Sequence, residues 1–222
     1  MRFLGGFYVF PGGTVHRDDH SERTLARCCE LSGEAASRIL GGQHDAQVAL
    51  GHWVAVVREL FEEVGILLCV TESGAAVELR DGSAKTRIEQ KRQAIVKKQL
   101  EFGDFLESEK FLCDLSQVAY FDHWVTPAIY SMRFDTRFYA AILPPGQMPL
   151  KCSEEVTHSL WIKPGEALAR MNRSDFPILP PTTTVLSEFA RIPSWAELQR
   201  RFGLCRSSDH NSALSPRGFQ KL

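Results

Sequence analysis

Three carboxylates, Glu59, Glu62 and Glu63, stand at spacings of three and four residues. On a helix, at about 100° per residue, they share one face. Like charges so placed repel by roughly 0.2–0.5 kcal/mol per pair. A divalent cation between them would remove that cost, and oxygen-only donors suit Mg²⁺ or Mn²⁺. A solvated acidic face, partly neutralised by Arg58, accounts for the spacing equally well. His52 and the small Ala55 fall on the same face, one to two turns upstream.

The element that must position these carboxylates is residues 45–66, DAQVALGHWVAVVRELFEEVGI. Asp45 suits an N-cap and Gly65 a C-terminal stop. Leu50, Trp53, Val57, Leu60, Phe61 and Val64 recur every three or four residues as an apolar stripe,. The spacing predicts one helix over 45–65 with its acidic face turned away from the core.

The string Arg58-Glu59-Leu60-Phe61-Glu62-Glu63-Val64-Gly65-Ile66 resembles the core of the Nudix box. Its five fixed residue types should arise by chance in a chain this long roughly once in 10⁴. The resemblance extends upstream to Phe10-Pro11-Gly12-Gly13, the F-P-G-G that opens that box. It implies a metal site built from Glu59, Glu62, Glu63 and the Gly13 carbonyl. It also implies a general base among Glu62, Glu63 and Glu155, with Glu154 beside the last, and an Arg58 that orients the glutamates by ion pairing.

The box departs from the family pattern in one respect. The family places its arginine about fourteen residues after the second glycine, whereas here the offset is 58 − 13 = 45, an insertion of about 31 residues. Asp19 stands six after Gly13, where the family has Glu, with Glu22 nearby, and either could fill that place. Further on, Trp124-Val-Thr-Pro127, Arg133-Phe-Asp-Thr136 and Phe138 resemble a run in a Nudix branch that carries such an insertion. That branch includes peroxisomal coenzyme A diphosphatases. The motif upstream of F-P-G-G that helps to define it is not in this chain.

The 222 residues suit one domain with insertions, and 44% hydrophobic residues can build a sizeable core,. A net charge of −1 supports neither a nucleic-acid nor an anionic-membrane surface,. Six cysteines without a CxxC pair read as buried free thiols in a reducing compartment,. No signal peptide or spanning apolar run is present. The ending Gln220-Lys221-Leu222 only approximates a peroxisomal address, so a cytoplasmic location is expected,.

The expected fold is an α/β/α sandwich of Nudix type around a mixed sheet, with added helical insertions. One domain is expected over 1–205, with insertions at about 18–44 and 82–115 and a disordered tail over 206–222. Residues 7–10 read as a strand, 21–40 as an added helix stopped by Gly41-Gly42, and 84–101 as a basic amphipathic helix,. A short helix is expected near 102–111, strands within 118–143, and a strand then a helix start at Pro164,, while Pro180-Pro181-Thr182 to Phe189 resembles the start of that branch's closing helix. The basic helix reads as a helical insertion packed on the domain, the alternative being that Lys91, Arg92, Lys97 or Lys98 meets a phosphorylated substrate. Only ten residues precede Pro11, where the family has a complete strand. A start placed too late would leave an unpaired sheet edge.

The expected function is metal-dependent hydrolysis of a diphosphate linkage in a small nucleoside diphosphate-X substrate, coenzyme A or its esters included. The alternative is a Nudix-fold module that binds a nucleotide or cofactor without cleaving it. A small-molecule partner is expected, with no nucleic acid and no membrane, and a homodimer is an allowed assembly.

Overall fold

A computed structural model describes residues 6–77, 82–149, 159–173 and 175–202. The chain divides into two compact units. Of the described residues, the larger comprises those within 11–118 and 141–159, and the smaller those within 6–10, 119–140 and 160–202.

In the larger unit a single 3₁₀ turn, Asp18–His20, leads into α1 (Glu22–Leu25), β1 (Cys28–Cys29), α2 (Gly33–Ile39) and α3 (Ala46–Val64). Then come β2 (Cys69–Thr71), α4 (Gly82–Val96), α5 (Phe102–Glu109) and β3 (Phe111–Asp114). The three strands form a mixed sheet in the order β1-β3-β2, parallel between β1 and β3 and antiparallel between β2 and β3. Helices around a mixed sheet place the chain in the α/β class, as the sequence predicts.

Helix α3 is one uninterrupted element. The Asp45 side chain accepts the Val48 N–H at 2.8 Å, and Gly65 closes the helix in the left-handed region at φ 70°. Its buried face is broader than the predicted stripe: Trp53, Val54, Val57, Phe61 and Val64 are buried, and so is Ala55, which the sequence places on the polar side. Phe61 stacks on Phe105 at 5.0 Å between centroids, and Phe105 meets Phe102 and Phe111. The Trp53 indole N–H donates to the Val118 carbonyl. After the helix, Gln147 accepts the Leu67 N–H at 2.8 Å and donates to the Leu67 carbonyl at 2.9 Å, taking the place of a neighbouring strand.

Three sequence expectations are corrected here. Residues 21–40 are two short helices interrupted by β1, because Cys28 and Cys29 pair with Cys113 and Asp114 of β3, a contact between distant segments that overrides local helix preference,. Glu30, at φ 70°, turns the chain, and Ser32 caps α2. The basic helix ends at Val96 rather than near 101, since Lys98 adopts a left-handed φ of 56° and Phe102 begins a new helix. Residues 7–10 make no strand beyond a single bridge, Tyr8 to Ile178.

In the smaller unit β4 (Val118–Val125) and β5 (Asp135–Ala141) pair as a two-stranded sheet. Helices α6 (Pro164–Asn172), α7 (Pro180–Phe189) and α8 (Trp195–Phe202) follow. Ala167, Phe176 and Leu186 form its core with Tyr8, Leu160, Ile162, Leu168 and Ile178 packed around them. The helix starts at Pro164 and Pro180 are those the sequence predicts, proline being pre-set for a first helical turn,. Of the expected strand from 153 to Pro164, residues 153–158 lie outside the described residues and 159–163 are not strand; the tail over 206–222 also lies outside the described residues.

Cys28, Cys29, Cys69 and Cys113 are free thiols. Contact with the Cys113 thiol, then burial, pushes the Cys28 thiol far up, and burial pushes Cys29 up to about 11. All four lie in β1, β2 and β3, where they serve as packing. Among the described residues no helix is long and apolar enough to cross a membrane.

Candidate active site

The site is built on the last two turns of α3. Arg58 is only 3% exposed, and a buried guanidinium needs partners for all its protons. It has them. Nε donates to Asp19 Oδ1 at 2.8 Å and Nη2 to Asp19 Oδ2 at 3.0 Å. Nη2 also donates to the Thr14 carbonyl at 2.8 Å, while Nη1 donates to Glu59 Oε1 at 2.8 Å and to Glu62 Oε1 at 3.0 Å. The five N–H groups of the fork meet five acceptors. Burial works against the Arg58 charge, but the Asp19 and Glu59 carboxylates outweigh it and hold the guanidinium firmly protonated.

Asp19 is fully buried, and Glu22 is exposed. The acidic partner of the arginine is therefore Asp19, despite the insertion between them. The same turn secures its neighbours. Asp19 Oδ2 accepts the His16 N–H at 2.7 Å. Asp18 Oδ2 accepts the Gly103 N–H at the start of α5, and Asp18 Oδ1 accepts from Thr24 and Ser21.

The glycine turn lies against the carboxylates. A Cβ on Gly13 would sit 2.2 Å from Glu59 Oε1, so no larger residue fits while Glu59 keeps its place. The Gly12 N–H donates to Glu63 Oε2 at 3.2 Å. Burial raises the Glu59 carboxyl above its ordinary value, against the opposing pull of Arg58. Among the described residues no three His, Cys, Asp or Glu side chains converge as a ready metal-holding group. Glu59 and Glu62 turn toward Arg58, and Glu63 toward the glycine turn. The donor set still fits a hard divalent cation: it is all oxygen, one carboxylate is partly desolvated, and the Gly13 backbone is pressed against that carboxylate,.

The other sequence candidates fall differently. Glu154 and Glu155 lie outside the described residues. Lys91 pairs with Glu109 at 2.6 Å and donates to Ser108, and Arg92 is buried. Those two cations are spent inside the fold, which agrees with the reading of a packed helical insertion rather than the alternative in which they meet a substrate. His52 sits beside His44 at 5.1 Å between rings. Sequence reasoning named Arg92 but missed its contact with α3, where it donates through Nη1 to the Glu62 carbonyl. Its signal was its place between Ile88 and Ile95 on the apolar side of α4,.

Comparison with known proteins places the chain among relatives. The model of the family described as the NUDT19 Nudix domain matches residues 1–191. The acyl-coenzyme A diphosphatase NUDT19 of Xenopus laevis is 26% identical over 227 residues, covering 89% of this chain and 59% of that protein. The chain spans under two thirds of the length of the curated relatives it matches, 59% and 56% for two of them. Among solved structures, a NUDIX hydrolase from Alicyclobacillus acidocaldarius superposes with a TM-score of 0.69 at 25% identity, over 90% of this chain and 82% of that one.

Proposed function

The chain belongs to the NUDT19 Nudix domain family, and we propose that it hydrolyses a diphosphate linkage in a nucleoside diphosphate-X substrate, with coenzyme A and its esters as the substrate class. The observation that carries this reading is the Asp19–Arg58 pair, which fixes the arginine so that it gathers Glu59 and Glu62 beside the glycine turn. The substrate class is supported by the likeness to the Xenopus laevis acyl-coenzyme A diphosphatase.

Glu59, Glu62 and Glu63 would hold Mg²⁺ or Mn²⁺, with the Gly13 carbonyl as a further ligand. Such a cation offsets the charge of the diphosphate and makes a bound water easier to deprotonate. Arg58 would act by orientation, since its five donors are engaged within the protein. Glu62, Glu63 or Glu155 would take the proton from the attacking water. The missing side chain at Gly13 would let the turn lie against the Glu59 carboxylate, bringing the Gly13 backbone to the metal ligands.

The test is a hydrolysis screen of the purified chain over coenzyme A, acyl-coenzyme A, dinucleoside polyphosphates, ADP-sugars and nicotinamide dinucleotides. Each is run with Mg²⁺, with Mn²⁺ and with chelator. Metal-dependent cleavage of coenzyme A or its esters into 4′-phosphopantetheine, acylated for the esters, and adenosine 3′,5′-bisphosphate is expected. Binding of these compounds without turnover in either metal would overturn the proposal.

A further inference from the structure

We propose that Arg92, on inserted helix α4, is a positioning residue for the glutamates of α3, holding the helix's last turn by capping the Glu62 carbonyl. The inference rests on the metal-site reading above for its functional consequence, though not for its geometry.

Helix ends leave carbonyls without intrahelical partners. At the end of α3 the Gly65 N–H goes to the Phe61 carbonyl at 3.0 Å, and the Ile66 N–H turns back to the Leu60 carbonyl at 3.2 Å. The Glu62 carbonyl is passed over by this arrangement, and Arg92 Nη1 donates to it instead. Arg92 is 3% exposed and lies on the buried stripe Ile88–Arg92–Ile95 of α4. Its fork is fixed from the other side: Nε donates to Glu89 Oε2 at 2.9 Å and Nη2 to Glu89 Oε1 at 2.6 Å. With both those nitrogens taken, Nη1 is aimed at α3. A cation at a helix C-terminus also faces the negative end of the helix dipole.

The position of the cap gives it a role beyond packing. Glu62 and Glu63 belong to this last turn, while Glu59 belongs to the turn before. Helix ends fray readily. Fraying would shift the backbone of Glu62 and Glu63 relative to Glu59 and spread the three carboxylates. Arg92 touches neither carboxylate and acts through the main chain alone.

The test compares Arg92→Met, Arg92→Lys and Ile95→Ala with the parent full chain. Ile95→Ala damages the same buried stripe and leaves the Arg92 contact in place. Three quantities are read: Mn²⁺ affinity by paramagnetic resonance, hydrogen exchange of the amides over 61–66, and kcat separately from KM. Arg92→Met should weaken Mn²⁺ binding and lower kcat by about tenfold each, as for lost outer contacts to metal ligands, with KM nearly unchanged. Its amides over 61–66 should exchange faster, and Arg92→Lys should recover part of each effect. Ile95→Ala should lower the melting temperature while leaving Mn²⁺ affinity within about twofold of the parent. Equal Mn²⁺ affinity in Arg92→Met and Ile95→Ala would overturn the proposal, leaving Arg92 a packing residue. A parent that binds Mn²⁺ without turnover would sink the hydrolase reading alone. A parent that binds no Mn²⁺ leaves the exchange measurement to decide, and unchanged amides in Arg92→Met would then remove the cap itself.

Discussion

Asp19 holds Arg58 with both carboxylate oxygens, at 2.8 and 3.0 Å, across 39 positions of sequence. Asp19 is fully buried and the Arg58 side chain is 4% exposed. Removing one partner of such a pair leaves an uncompensated charge in the interior. Asp19→Asn should therefore cost about 3 kcal/mol, a fall in melting temperature of about 6–12 °C for a chain of this size. Glu22→Gln, at an exposed position, should melt with the parent. Thermal unfolding of the two variants side by side checks the assignment, and equal melting temperatures would refute it.

Glu62→Gln and Glu63→Gln should each lower turnover by at least about 100-fold, or roughly 3 kcal/mol of transition-state stabilisation. Amide replaces carboxylate at nearly constant shape, so the metal-free melting temperature should stay close to that of the parent. The measurement is turnover at saturating Mg²⁺ beside a melting curve in chelator. Near-parent turnover in both variants would contradict the metal-helix mechanism and favour a binding module.

Gly13→Ala probes the turn rather than the helix. The new Cβ would overlap Glu59 Oε1 at 2.2 Å and Cδ at 2.6 Å, atoms at the far end of a flexible side chain. Glu59 should swing aside while the backbone stays. The expected result is loss of more than about tenfold in turnover with a change of under about 4 °C in melting temperature. A large loss of stability with normal turnover of the folded fraction would show that the backbone had moved instead.

Glu109 ties α5 to α4. Its carboxylate receives Arg87 at 3.1 Å and Lys91 at 2.6 Å, and its side chain is 6% exposed. Burial tends to raise this carboxyl, but the two cations outweigh it and hold it below its ordinary value. A lowered carboxyl contributes stability above its unfolded value and loses it as pH falls through the folded one. Glu109→Gln should thus melt about 2–4 °C below the parent at neutral pH, for about 1 kcal/mol. The gap should close as pH falls below the ordinary carboxylate range. Melting curves across pH 3 to 8 read it directly, at about the values of ordinary titrations. A gap that is constant over that range would assign the effect to packing.

The legible parts of the sequence were those whose signals are local. Asp45 and Gly65 bounded α3 because a capping side chain and a left-handed glycine act within a few residues of the helix they end. Pro164 marked a helix start for the same reason, whereas the start at Pro180 was readable from the family resemblance. The misread parts depend on distant partners. Nothing in the local composition of residues 21–40 announces that Cys28 and Cys29 pair with Cys113 and Asp114. That Glu59, Glu62 and Glu63 lie together on the end of one helix was readable from their spacing. The choice of Asp19 over Glu22 was not, because the insertion removed the fixed offset that distinguishes them. The contact of Arg92 with the Glu62 carbonyl was not legible, because it joins segments 30 positions apart.

The insertion also bears on the order in which the molecule assembles. In the family's usual spacing the glycine turn and the arginine are neighbours along the chain, and the loop between them is short. Here that loop is about three times longer. By loop-closure entropy, lengthening it from about 14 to about 45 residues costs only roughly 1 kcal/mol, a sum that the packing of α2 on α3 can offset. The kinetic effect is larger than the thermodynamic one. A motif that would otherwise form early from nearby residues becomes a long-range contact, and such contacts slow folding. Helix α3, with both its caps local, is then expected to form before the Gly12–Gly13 turn and Asp19 arrive, and the site should be among the last regions of the larger unit to become structured.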